Sequence, residues 1–181
     1  MIADTSSARR SLRGVVDTFL NLRAGDRSAR LHLPTLIEAV ARQKSIAADA
    51  KNQELNFELP ADIPWARGDA TEVFQIITNT LSNAIKFTPP GGRKEVGLNA
   101  NDTALRIEIE DSGPGVPVNE RDRLFTEHPG LSPRSTAGGE SHGVGLAIVK
   151  KLAEVNDGRV GAHFHANGGR VFWRELPRAD A

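Results

Sequence analysis

The stretch GDATEVFQIITNTLSNAIKFT, residues 68–88, sets the architecture. Asp69 stands before Ala70-Thr71-Glu72, where its carboxylate caps a helix and Glu72 returns a hydrogen bond to the cap. The helix is predicted to run to about Lys86 and to stop before Pro89-Pro90-Gly91-Gly92, which cannot continue it. At about 100° per residue, Gln75, Asn79, Asn83 and Lys86 fall within an arc of about 80°, and Val73, Ile77, Leu81 and Ala84 fall opposite. The apolar face is core. The polar face is either solvated or a site: two amides in line offer carbonyl oxygens, hard ligands suited to a magnesium ion, and Lys86 one turn further on is placed to meet a phosphate.

Downstream, Leu105 to Glu110 (LRIEIE) alternates cleanly as a strand, with a second strand over Glu95 to Ala100. The first runs directly into Asp111-Ser112-Gly113-Pro114-Gly115. A carboxylate there accepts a hydrogen bond from an exocyclic amine, and the glycines let backbone approach a ligand; the same residues also make an ordinary turn. Pro114 to Gly143 is rich in Gly, Pro and Ser, broken only at Leu124-Phe125, and reads as a lid. Gly143-Val144-Gly145-Leu146 then opens a helix over Gly145 to Val155, whose first N–H groups favour an anion. It is neither a dinucleotide fingerprint nor a GxxxxGK[ST] phosphate loop. Asn156-Asp157-Gly158 closes that helix, and strands Arg159 to Phe164 and Arg170 to Leu176 follow, with Gly168-Gly169 turning between them.

Upstream, Ser11 to Arg23 carries one apolar stripe and reads as a helix, ended by a turn at Gly25. Pro34 to Ala50 reads as a second helix with proline in its first turn. Leu55, Phe57 and Leu59 alternate as a short half-buried strand. The expected division is an N-terminal helix in residues 1–25 and one domain over 26–181, with the lid at about 116–142.

Composition narrows the chemistry. Over 181 residues the 23 basic and 23 acidic side chains cancel, so no global field draws in nucleic acid or an anionic membrane. The absence of cysteine excludes disulfide scaffolds, thiolate metal sites and cysteine nucleophiles. No apolar run approaches the roughly 18 residues of a membrane span, and the leader MIADTSSARR lacks the apolar stretch of a signal peptide. The expected setting is the cytoplasm.

Taken in order, LSNAIKFTPPGG, DSGPGVP, GVGLAIVKKLAEVNDGRVG and GGRVFWRELP resemble the ATP-binding catalytic domain of bacterial sensor histidine kinases, within the wider gyrase, Hsp90, histidine kinase and MutL ATPase superfamily. RGVVDTFLNLRAGDRSARLHL is similar to the second helix of the dimerisation hairpin and its exit. The resemblance implies an α+β, two-layer sandwich of the Bergerat type: a mixed sheet covered by helices on one face, with an N-terminal helical extension. It implies ATP and Mg2+ as cofactors. Asn83 would hold the magnesium, Asn79 and Lys86 would lie near the phosphates, and Asp111 would take the adenine amine. Gly113, Gly115, Gly143 and Gly145 would let backbone line the site beside Leu146, and Arg134 in the lid would contact phosphate.

The family's phosphoacceptor is a histidine followed by Glu or Asp, and His32, His128, His142, His163 and His165 all lack that neighbour. The chain is therefore expected to serve a phosphoacceptor hairpin elsewhere in its own or a partner kinase, with a response regulator downstream, no nucleic acid, no membrane contact by this segment, and a homodimeric parent. Three departures stand out: Ser141 and His142 precede the GxGL where the family has glycine and a small residue, and His128 stands where a second lid aromatic is common. The hydrolytic branch carries a water-activating glutamate where this chain has Asn79, and an amide takes no proton from water at neutral pH. Slow ATP hydrolysis and a degenerate or regulatory nucleotide-binding module of a receptor are the alternative readings.

Overall fold

A computed structural model describes residues 25–126, 145–166 and 168–180. Along the chain run β1 (Arg30–Leu31), α1 (Leu33–Asp49), β2 (Glu54–Glu58), β3 (Ala66–Arg67), α2 (Ala70–Phe87), β4 (Arg93–Ala100), β5 (Ala104–Asp111), α3 (Val118–Arg121), α4 (Gly145–Val155), β6 (Arg159–Phe164) and β7 (Arg170–Pro177). The five main strands order β2-β4-β5-β7-β6. Only β2 and β4 pair in parallel, so the sheet is mixed, as expected. β1 and β3 form a separate two-stranded sheet that local alternation did not foretell.

The inward residues of the sheet, among them Val96, Leu98, Leu105, Ile107 and Ile109, join one buried cluster with Val73, Ile77, Leu81 and Ala84 of α2 and Leu36, Ile37 and Val40 of α1. The apolar face read from residues 68–88 is thus the face that meets the sheet. β2 lies at the sheet edge, with Leu55 and Leu59 packed on the core and Phe57 43% exposed. The helix expected over Ser11 to Arg23 and most of the expected lid, with Arg134 and Gly143, lie outside the described residues. The start of the lid is not a plain loop. Val118–Arg121 is a short helix, and Val116 and Leu124 beside it are buried with Phe172 of β7, against which Phe125 packs edge-on.

The capping box at α2 is half as expected. Asp69 Oδ1 accepts from the Glu72 N–H at 2.9 Å. The return bond comes from the residue that follows another helix: the Asp69 N–H donates to Asn156 Oδ1 at 2.7 Å. Glu72 instead pairs with Arg27, whose hydrogen bond holds its carboxyl below the usual range, and accepts from Asn156 Nδ2. Asn156 also donates to Leu152 O at 2.7 Å. The end of α4 is therefore fastened to the start of α2, and the two helices pack antiparallel.

Candidate nucleotide site

That antiparallel packing places the start of α4 beside the second half of α2. An ideal Cβ on Gly145 would stand 3.5 Å from Asn83 Nδ2 and 3.8 Å from Asn83 Oδ1, so the amide faces the first residue of α4. Asn79, Asn83 and Lys86 are all half-buried on the open side of α2. Leu146 packs with Val116, Leu124 and Phe172.

The last turn of α2 is held by side chains from beneath. Lys51 Nζ donates to Ile85 O at 2.9 Å and Lys86 O at 3.1 Å, a cation at the negative end of the helix. Gln53 Nε2 donates to Thr88 O at 2.6 Å and lies 3.2 Å from Ile85 O and Pro89 O. Lys94 Nζ in turn donates to Gln53 Oε1 at 2.9 Å. Phe87 is thereby fixed with its ring 5.1 Å from the Arg170 guanidinium.

Arg170 leads to the second motif. Across the sheet, Lys94 of β4, Asp111 of β5 and Arg170 of β7 stand in register, and all three are buried. Asp111 Oδ2 accepts from Arg170 Nε at 2.7 Å, and Oδ1 accepts from the Gly113 N–H at 2.9 Å. Burial pushes the Asp111 carboxyl up, against the opposing pull of Arg170, Gly113 and Lys94. Burial likewise pulls Lys94 down, to about 8.

Gly113 must be glycine, since a Cβ would come within 2.6 Å of Asp111 Oδ1 and 3.1 Å of Phe87 O. Gly115 holds φ +80, a conformation that favours glycine. The Gly169 N–H donates to Gly113 O at 2.8 Å, locking this turn to the β6–β7 turn.

The three motif segments therefore converge on one helix: α2 meets Gly145 through Asn83, and meets Gly113 and the Asp111–Arg170 pair through Phe87. Among the described residues no group of three or more His, Asp or Glu side chains is placed to hold a metal ion. The side-chain oxygens on this face that could hold a cation are the amide oxygens of Asn79 and Asn83, a hard but sparse donor set that suits an ion keeping water and substrate oxygens. Sequence reading did not single out Arg170, Lys94, Gln53 or Asn156. Their signal was a polar residue at an inward strand position, or next to a helix end, which alternation treats as an exception.

Residues 68–180 match the family model described as histidine kinase-, DNA gyrase B-, and HSP90-like ATPase. The chain is 33% identical over 124 residues to the adaptive-response sensory kinase SasA of Synechococcus sp. (strain CC9311), a match taking in 68% of this chain and 32% of SasA. It is 36% identical over 141 residues to the sensor histidine kinase TmoS of Ectopseudomonas mendocina, covering 77% of this chain and 14% of TmoS. Among solved structures, full-length ShkA in complex with AMPPNP matches with a TM-score of 0.71 at 28% identity, over 94% of this chain and 36% of ShkA. The chain thus spans about a third of SasA and a smaller share of TmoS. Among the described residues no helix is long and apolar enough to cross a membrane.

Proposed function

The chain belongs to the histidine kinase-, DNA gyrase B- and HSP90-like ATPase family, and from that premise we propose that it is the ATP-binding catalytic domain of a two-component sensor histidine kinase. The observation that carries this reading is the convergence on α2, where Asn83 faces Gly145 while the Phe87 ring lies against the Arg170 that pairs with Asp111. Asn83 would hold magnesium, which neutralises charge on the phosphates when bound, and Asn79 lies near those phosphates. Lys86 meets phosphate oxygens, and Asp111 accepts from the adenine amine. Gly113, Gly115, Gly143 and Gly145 allow backbone close to the nucleotide, and Leu146 anchors the start of α4 against the stem of the lid.

Phosphoryl transfer of this kind is positioning and charge neutralisation. An imidazole nitrogen on a separate dimerisation hairpin attacks the γ-phosphorus in line as the bond to the ADP oxygen breaks, giving phosphohistidine and ADP. The phosphoryl group then passes to a response regulator, and the parent kinase is a homodimer working in the cytoplasm. Asn79 in place of a general base keeps water from competing.

Incubation of the 181-residue chain with γ-labelled MgATP tests the reading. The chain should stay unlabelled until a hairpin bearing a histidine followed by Glu or Asp is added, and that hairpin should then take the label. Nucleotide binding with no transfer to any such hairpin would favour the degenerate module, and label on the isolated chain would overturn the donor-only role.

A further inference from the structure

Arg170 is only partly satisfied. Its Nε donates to Asp111, its Cζ lies 5.1 and 5.5 Å from the ring centroids of Phe87 and Phe172, and the residue is 2% exposed. Its Nη2 is buried and has no hydrogen-bond partner among the described residues. A buried donor on a charged group left unpaired is costly, so a partner supplied by a ligand accounts for what the fold itself does not satisfy. Nη2 lies on the side of Gly113, 3.6 Å from where a Cβ on that residue would stand.

Asp111 also keeps capacity. A carboxylate has about four lone-pair sites, and here one oxygen serves Arg170 and the other Gly113. The pair therefore presents a carboxylate acceptor and a guanidinium donor side by side. Lys94 lies on the far side of Asp111 in the same row, and its ammonium is turned to Gln53, which leaves Arg170 as the cationic donor next to the Gly113 turn. The complement of such a pair is a heterocycle edge with an exocyclic N–H next to an unprotonated ring nitrogen.

Resting on the ATP reading above, we infer that Arg170 is a specificity-determining residue that reads the adenine ring directly, Nη2 donating to N1 while Asp111 accepts from the N6 amine. Recognition of the base then depends on a charge-assisted bond to N1 that Asp111 alone does not make.

Titration calorimetry on the whole chain with magnesium, comparing ATP with 1-deaza-ATP, in which N1 is a C–H, tests this. The unaltered protein should bind 1-deaza-ATP about tenfold or more weakly, the scale of a lost hydrogen bond to a charged group. Arg170→Met should bind ATP more weakly and lose that discrimination. Equal binding of the two nucleotides by the unaltered protein overturns the inference and leaves Arg170 as a counter-ion to Asp111, with the ATP reading intact. Binding of neither overturns the ATP reading and the inference with it. Because the decisive comparison uses the unaltered chain, it stands even where Arg170→Met does not fold.

Discussion

Two arginines point inward from the same face of β7, four residues apart, and both are buried: Arg170 is 2% exposed and Arg174 1%. Their rows across the sheet differ completely. Arg170 stands in the row Lys94, Asp111, Arg170, Phe164, at the end of the strands beside the glycine turns. Arg174 stands in the row Leu98, Ile107, Arg174, Val160, among aliphatics. The first has a carboxylate at 2.7 Å. The second has Ile76 O at 3.3 Å, and its Nε and Nη2 are without partners among the described residues. Burial pulls the Arg174 guanidinium down to about 9, which still leaves it charged at neutral pH. A buried charge with a counter-charge is a pair that shares its desolvation, whereas one without is a load that the surrounding core must carry.

The largest effect comes from turning the first case into the second. Asp111→Asn removes the counter-charge of Arg170 and leaves two buried cations, so urea unfolding should show a loss of about 3–5 kcal/mol, the scale for breaking a buried pair. A loss below about 1 kcal/mol would mean that Arg170 and Lys94 are solvated in solution. The next effect has the opposite sign. Arg174→Met, of similar length and without a charge, should leave stability unchanged or raise it by about 1–3 kcal/mol, while Arg170→Met lowers it by stranding Asp111. Parallel losses for both arginine variants would erase the distinction between the two rows.

The contrast also explains what was legible beforehand. Elements that depend on neighbours in sequence were readable: α4 runs over Gly145–Val155 as its apolar spacing and closing Asn156-Asp157-Gly158 predict, and Asp69 caps α2. The convergence of Asn83 with Gly145 was reached through likeness to a family, since nothing local joins residues so far apart in the chain. Lys94, Asp111 and Arg170 become one row only through the register of β4, β5 and β7, and period-two alternation carries no information on which strands pair. Asn156 was read as a helix terminator because its other role, closing the cap of α2, depends on how two helices pack. The two arginines look alike in GGRVFWRELP; what separates them is the residue opposite, which lies elsewhere in the chain.

A smaller effect is expected from the third charge of the site row. Lys94 titrates near 8 in the folded chain, below its ordinary value of 10.5, because burial disfavours its ammonium. Between those values the unfolded chain binds more protons, so stability rises with pH across that window, and the cost of the charge is fully present below it. The gain attributable to Lys94 should be about 1–2 kcal/mol from pH 8 to 10. Lys94→Met should lack that increment in urea unfolding at the two pH values, whereas Arg174, titrating in the same direction from about 9, contributes equally to both proteins. The other five lysines are likewise common to both proteins, and identical slopes for the two would place Lys94 in water.

The smallest effect on stability, and the sharpest on binding, belongs to the open face of α2. Asn83 is half-buried and its amide meets Gly145 without a hydrogen bond between them, so truncation strands no buried charge and opens no core cavity. Asn83→Ala should therefore shift the ligand-free melting temperature by no more than a degree or two, the response to a few tenths of a kcal/mol in a domain of this size. Magnesium-dependent ATP affinity, measured by calorimetry with and without a chelator, should nonetheless fall to the metal-independent level. A drop in melting temperature as large as that of Asp111→Asn would make Asn83 a packing residue, and unchanged affinity would take it out of the site. Cold stability with lost affinity is the signature that separates a face built for a ligand from a row built to support it.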